Sequence, residues 1–410
     1  MAAAQGLYAA QNTNVTNSTH PTYTDCASIA AGSFTADKEY LIIGVALLEC
    51  AGGANEHHVR LVHGSTNFTD ADAVIDPPAA NGGAVLSWMY RLSQGASPEA
   101  VTIQAAGEAV VATVLGSQVF ALKLSDDFTE NTDYFWNEVT ADYTTTATPT
   151  AQAAATFTPN GTDDWLIIGH FVQGLPSGVT TNFLAELHDS VGATTAPALA
   201  IESEDLDAGD EARSYILARA YTPTNAAHTY SLRFAHAATE TFVVFSSRVL
   251  AINLNKFNQH IAAYTDGATT PAASPTWTTV ATASVAPSVT GDWWYMGMYV
   301  FDAGAATAEQ NIRLQDDNSG SLVSDPAYGD DGVNPPAWDA TDDMPMALMT
   351  MKALATGGTR TINMDVTTIA GSGTAKQRSL VGFSLELAGG AAPTSLIIPG
   401  PRMPQALLAR

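Results

Sequence analysis

The sequence predicts an all-β protein built of three tandem antiparallel β-sandwiches of the jelly-roll kind. Three observations lead there. A short block recurs as YLIIG (Tyr40 to Gly44), WLIIG (Trp165 to Gly169) and WWYMG (Trp293 to Gly297), its closing glycines 125 and 128 residues apart. Each unit ends on a run that alternates between two faces, VFALKL from Val119, VLAINL from Val249 and GFSLEL from Gly382; period 2 is the pattern of a half-buried strand. Finally, Thr, Val, Ile, Tyr and Phe are frequent, punctuated by Gly, Pro and Asn, and a 3.6-residue period seldom persists beyond two turns. Self-similarity at a fixed period takes precedence over any single motif.

Within each unit the elements follow one order. A Thr/Ala/Ser-rich extended run comes first: TYTDCASIA, TPTAQAAATF or TWTTVATASV. An acidic turn follows (Asp37-Lys38-Glu39, Asp163-Asp164, Gly291-Asp292) and leads into the repeated block, whose extension YLIIGVALL is apolar on both faces. That suits a sandwich interior or a domain contact. Next comes a long acidic loop, then WMYRLSQGASPEAVTIQA, ILARAYTPTNAAHTYSLRF or LMTMKALATGGTRTINMDV, each read as strand, turn, strand, a hairpin. Six to eight short strands per unit suit a sandwich or jelly roll. The expected boundaries are an N-terminal segment 1–19, sandwiches over 20–135, 145–257 and 272–388, and a C-terminal arm 389–410. Tyr134, Phe135, Trp136, Phe257 and Tyr264 lie at the joints, and such aromatics are costly in free linkers, so the domains are expected to pack on one another.

With 410 residues the chain exceeds what one hydrophobic core holds, roughly 250–300 residues. Lys plus Arg number 16 against 41 Asp plus Glu, a net charge of −25. Such a surface repels phosphate backbones and anionic lipid, so neither direct nucleic-acid nor membrane binding is expected. The N-terminus has no basic stretch followed by an apolar one, and no apolar run reaches the ~18 residues of a membrane span. The expectation is a soluble protein made in a cytoplasm. Cys26 and Cys50 give no disulfide framework; reduced, buried thiols are expected, with one bridge as the alternative.

Signatures of chemistry are scarce. His57, His58 and His63 follow Glu56, but on a strand His57 and His63 stand roughly 20 Å apart and His58 faces away, so without a bulge the three cannot share one ion, and structural or surface histidines are expected. No metalloenzyme spacing, nucleophile elbow or phosphate loop is present. No cofactor is expected, and no catalytic residue is singled out. Acidic residues cluster in the middle of each unit: Asp70, Asp72 and Asp76; Glu202 to Glu211; Asp316 to Asp343. The segment holding Asp205, Asp207 and Asp210 is the best local calcium candidate, a weak one beside plain solvation. A cation recurs at Arg91, Arg219 and Lys352, read as one hairpin position in each unit and open to a ligand-contact or an edge-charge role.

After Leu387 the chain carries Pro393, Pro399, Pro401 and Pro404, which favour an extended arm, yet Leu396, Ile397, Ile398, Leu407 and Leu408 are apolar. Docking of these residues on another subunit is the expectation, with docking on the chain's own domain and disorder as the alternatives. Tandem sandwiches, few lysines, no export signal and a terminal arm together resemble the accessory virion proteins of tailed bacteriophages, capsid decoration proteins and tail or fibre components. The resemblance implies a non-enzymatic role on the virion exterior, with capsid or tail subunits as partners, most simply decoration and stabilisation of the shell. The alternative is a tail, fibre or receptor-binding protein that holds surface glycans, with Trp88, Trp136, Trp293, Trp294 and Trp338 as the platform.

Overall fold

The computed structural model describes residues 4–11, 14–50, 56–75, 82–108, 111–175, 182–191, 198–202, 211–236, 242–303, 309–317, 321–322 and 343–388. The first sandwich holds β1 (Gly6–Gln11), β2 (Val15–Asn17), β3 (Thr24–Ile29), β4 (Glu39–Cys50), β5 (His57–His63), β6 (Thr66–Ile75), β7 (Gly82–Ser93), β8 (Val101–Gly107) and β9 (Ala112–Lys123). In the second are β10 (Tyr134–Val139), β11 (Tyr143–Thr144), β12 (Thr150–Phe157), β13 (Trp165–Leu175), β14 (Asn182–Asp189), β15 (Ala198–Glu202), β16 (Glu211–Tyr221), β17 (His228–His236) and β18 (Val243–Asn253). The third comprises β19 (His260–Thr265), β20 (Thr278–Val285), β21 (Gly291–Ala303), β22 (Glu309–Asp316), β23 (Ser321–Leu322), β24 (Asp343–Leu354), β25 (Arg360–Ala370) and β26 (Gly373–Ser384).

Setting the short β2 and β11 aside, each unit has eight main strands in one topology. The first sheets run β1-β9-β4-β7, β10-β18-β13-β16 and β19-β26-β21-β24; the second run β3-β8-β5-β6, β12-β17-β14-β15 and β20-β25-β22-β23, with β6 and β16 joined edge to edge at Val74 and Ala212 so that β3-β8-β5-β6 continues into β16-β13-β18-β10. Counted within a unit, that is first-eighth-third-sixth over second-seventh-fourth-fifth, the strand order of a jelly roll. The predicted class holds: all-β, three tandem sandwiches.

The repeated block is the third strand of each unit. Gly44, Gly169 and Gly297 sit opposite Trp88, Leu217 and Leu348 on the sixth strand and Val119, Val249 and Leu380 on the eighth. Tyr40, Trp165 and Trp293 each stand four residues ahead of their glycine, at one register position. The glycine is needed because the opposite sheet leans in: a Cβ on Gly169 would lie 2.7 Å from Leu232 Cδ2, and one on Gly297 2.8 Å from Met364 Sδ.

Both faces of this strand are buried. Tyr40, Ile42, Ala46 and Leu48 enter the first sandwich's own core, while Leu41, Ile43, Val45 and Leu47 join a second cluster that includes residues of all three units. Leu41, Ile43, Phe120 and Leu122 from the first unit, Leu166, Ile168 and Ile252 from the second, and Trp294 and Phe383 from the third meet at one point. The three first sheets therefore back onto a common apolar junction, which explains a repeated block that is apolar at successive positions.

Three readings change with the structure. The segment 1–19 and the stretches around 136–144 and 258–271 are not lead and linkers: they contain β1, β10 and β19, which pair with the closing strands β9, β18 and β26. YFWNEV is short and aromatic between turn signals, and only its ladder partner shows it to be a strand. The expected hairpins are corners instead. The sixth strand lies in the first sheet and the seventh in the second, so the five to seven residues between them cross the sandwich. Lastly, Arg91, Arg219 and Lys352 are not equivalent: they oppose Leu41, Ile167 and Trp293, which stand three, two and four residues before the block's glycine.

Candidate functional site

Asp205, Asp207 and Asp210 lie outside the described residues, as do Leu396, Ile397, Ile398, Leu407 and Leu408. Asp70 and Asp72, read as loop residues, are in strand β6, and Asp316 closes β22. Asp316 takes part in a feature the sequence did not reveal. The last residue of the fourth strand is polar in every unit, and it pins the corner that leads into the seventh. His63 Nε2 lies 3.0 Å from Gln94 Oε1; Asp189 holds His228 Nδ1 at 2.8 Å and accepts from Tyr221 Oη at 2.7 Å; Asp316 meets Arg360 at 3.4 Å. The partners differ in chemistry, which hides the recurrence from sequence comparison.

Two buried histidines bear on catalysis. His170 is fully buried where the first two units meet. Its Nδ1 faces Arg248 Nη1 at 3.2 Å, and a guanidinium can only donate, so the proton is assigned to Nε2. Nε2 then donates to Ser214 Oγ at 2.9 Å, and Ser214 Oγ donates to the Ser87 carbonyl at 2.6 Å. This is the reverse of nucleophile activation, in which imidazole accepts the serine proton. Burial, reinforced by the Arg248 charge, holds the His170 pKa well below its ordinary value. His228 is a clamp: Asp189 takes its Nδ1, and Nε2 is shared, at 3.1 Å each, between the hydroxyl and the carbonyl oxygen of Thr224.

The polar links at the junction join all three units. Arg248 pairs with Glu138 at 2.7 Å and lies 4.2 Å over the Tyr90 ring. Gln118 Oε1 accepts from the Met349 amide at 3.0 Å, and His260 meets Asp164 at 2.8 Å. The three cations considered above serve different ends. Arg91 binds Glu39 and Glu130, whereas Arg219 sits 4.8 Å and 4.2 Å from the Tyr221 and Tyr264 rings, tying the second unit to the third. Lys352 faces Trp293 across the β21–β24 ladder.

The remaining cluster caps one end of the first sandwich. His58 on β5 is 7 % exposed, and its ring stacks on His20 with centroids 4.0 Å apart and planes 1° from parallel. Glu108, just past β8, lies 3.4 Å from His20 Nδ1; Glu56 and Asp72 lie 3.3 and 3.7 Å from the two His58 nitrogens. Tyr23 donates to Asp72 at 3.1 Å and carries Arg60 over its ring at 3.4 Å. Burial works to lower the His58 pKa, but Asp72, Glu56 and Glu108 outweigh it and raise it. The adjacent His57 faces the core; burial, with the His58 charge, lowers its pKa to about 4. Among the described residues His58 is grouped with His20 and Glu108, not with His57 and His63. His20 and Glu108 supply what the sequence reading lacked, from positions far off in the chain.

No family model and no curated protein matches the chain. Among solved structures it is similar to a chain from the atomic structure of Sulfolobus turreted icosahedral virus, at 11 % identity over 88 % of this chain and 84 % of that one, TM-score 0.19. It is similar too to a chain described with the triple jelly-roll fold and turret assembly of an archaeal virus, at 9 % identity over 93 % and 92 %, TM-score 0.18. A third likeness is to a chain of infectious bursal disease virus, Gx strain, at 10 % identity over 92 % and 81 %, TM-score 0.23. At these scores the backbones do not superpose as wholes, and the jelly-roll assignment rests on the strand order above.

Of the tryptophans considered for a glycan platform, Trp88, Trp293 and Trp294 are buried in cores, Trp136 packs partly buried against one, and Trp338 lies outside the described residues. The Cys26 thiol is free, and burial, with Asp25 nearby, pushes its pKa up to about 12. Among the described residues no helix is long and apolar enough to cross a membrane.

Proposed function

We propose that the protein is a non-enzymatic structural component of a virion, carried on the particle exterior, where it decorates and stabilises the shell through contacts with several subunits at once. One observation carries this reading: three jelly rolls of identical strand order share a junction that buries the second face of each first sheet. Such a block is suited to bear load and to present its other faces to neighbours. Jelly rolls serve as viral capsid and lectin domains. The charge of −25 fits a place away from packaged nucleic acid.

In this reading the contacts to capsid or tail subunits come from the arm, through Leu396, Ile397, Ile398, Leu407 and Leu408. No cofactor takes part, and calcium at Asp205, Asp207 and Asp210 is weak at most. The burial of Trp88, Trp293 and Trp294 favours decoration over glycan capture. The test is to purify particles from a producing culture by density gradient, quantify this chain by mass spectrometry and probe intact particles with antibody. Decoration predicts a fixed ratio to the shell protein and antibody access. Loss of the chain from the particle band would overturn the reading, and a glycan-array signal lost on substitution of surface aromatics would move it to the receptor-binding alternative.

A further inference from the structure

We propose that His20, His58 and Glu108 form a binding site for a divalent transition-metal ion of the zinc class, which ties the segment ahead of β3 to the ends of β5 and β8. Among the described residues this is the one group of three or more His, Cys, Asp or Glu whose donor atoms come this close, all within 4.8 Å of one another. Two imidazoles and a carboxylate are a zinc donor set; calcium takes oxygen ligands.

The geometry asks for a small contraction. Bonds of about 2.0–2.2 Å in a tetrahedron put donor atoms roughly 3.4 Å apart. His20 Nδ1 and Glu108 Oε1 are already at 3.4 Å. The wider separations close if His20 turns out of its stack on His58, and its side chain, 24 % exposed, has room to do so, as does Glu108 at 49 %. His58 is the fixed member. Its side chain is nine-tenths buried, and neither ring nitrogen makes an aligned hydrogen bond; the polar groups beside them are the carboxylates of Glu56 at 3.3 Å and Asp72 at 3.7 Å. Glu56 near Nε2 and Asp72 near Nδ1 mean that whichever nitrogen takes the ion, a carboxylate stands beside the other to orient the ring. Tyr23 in turn holds Asp72. The fourth position is left to water or to Glu56.

The experiment uses the full chain, stripped with chelator and then titrated with Zn2+ by calorimetry, with Co2+ as a spectroscopic probe. One ion per chain is expected, with the visible absorption of tetrahedral Co2+ and a rise in Tm of roughly 5 °C at a hundredfold excess over Kd. Because His58 is buried and its replacement could unfold the unit, the variants are Glu108→Gln, at an exposed side chain, and His20→Asn, at a half-buried one. Each should weaken binding about 10-fold or more while leaving the metal-free Tm unchanged. Absence of saturable binding would overturn the site. So would equal affinity in the double variant, which would place the ion elsewhere, or a preference for Ca2+ over Zn2+.

Discussion

Adding one methyl group at the repeated glycine separates the three units and tests whether the block is glycine because of packing. None of Gly44, Gly169 and Gly297 has a left-handed backbone, so alanine there is not strained by conformation. At Gly169 the new Cβ would meet Leu232 Cδ2 at 2.7 Å, Leu232 Cγ at 3.0 Å and Leu187 Cδ1 at 3.2 Å, and Leu232 and Leu187 are both buried. At Gly297 it would meet Met364 Sδ at 2.8 Å and Leu314 Cδ2 at 2.9 Å. Gly44 is roomier: its nearest neighbours are Trp88 Cε3 at 3.3 Å and Leu61 Cδ1 at 3.5 Å. Overpacking a core costs about 1–3 kcal/mol, and alanine recovers about 0.4–1 kcal/mol through the unfolded chain. The net is a loss of about 1–2 kcal/mol for Gly169→Ala, a smaller loss for Gly297→Ala because a methionine yields more readily than a branched leucine, and close to zero for Gly44→Ala. Differential scanning calorimetry should show drops of roughly 2–6 °C at positions 169 and 297 and about 1 °C or less at 44. Equal effects at all three positions would refute the packing account, since the close approach differs while the register does not.

Four further outcomes follow from the same geometry. His170 is held neutral in the fold, whereas the unfolded chain takes a proton there below about pH 6.5; stability from this site is therefore complete above that pH and falls by up to about 1.4 kcal/mol per unit below it. His170→Gln should flatten the plot of Tm against pH between 4.5 and 6.5; an unchanged slope would mean that His170 does not titrate in this way. Phe120→Ala removes a ring stacked on Trp294 at 5.0 Å across the junction of the first and third units, and should cost about 3–5 kcal/mol and split the calorimetric transition. Deleting 389–410 should leave the melting curve of the isolated protein unchanged and reduce its retention on particles. A calcium-selective chelator should shift Tm by less than about 1 °C, whereas a large drop would show that the segment around Asp207 contributes to folding.

The sequence disclosed what repeats in both chemistry and spacing. The block with its glycine was legible because the same packing constraint, a seventh strand leaning on the third, acts in two units strongly and in the other more mildly. The closing strands were legible because they alternate. What stayed hidden depends on pairing. Tyr134–Val139 is a strand by virtue of β18, and its six residues hold no period long enough to read. The corners looked like hairpins because a turn between two strands reads the same whether or not the strands pair with each other. The three cations looked equivalent because their spacings nearly track the repeat, yet a slip of one residue turns a side chain to the other face. For the His20, His58 and Glu108 group the sequence had no signal: 38 and 50 residues separate its members, and only the β5–β8 register, His57 opposite Gly107 and His58 opposite Ala106, brings the last two together.

The two-sided burial of the third strand also explains why the three units occupy one chain. A jelly roll standing alone would expose the outer face of its first sheet, and here that face carries residues such as Leu41, Ile43, Leu166, Ile168 and Trp294. Each such side chain contributes about 1.5–3 kcal/mol when fully buried, so these five contribute about 7–15 kcal/mol, the same order as the 5–15 kcal/mol by which a typical domain is stable. Separate copies would have to find one another at cellular concentration before gaining this, whereas tandem units meet at the high effective concentration set by short connections. With the junction fixed, the segments between its strands are free to differ in sequence from unit to unit. The segment between the fifth and sixth strands shows this, since it contains Asp205, Asp207 and Asp210 in the second unit and runs from 323 to 342 in the third. Three units of one strand order with unlike sequences between their strands give one chain three non-equivalent outer surfaces.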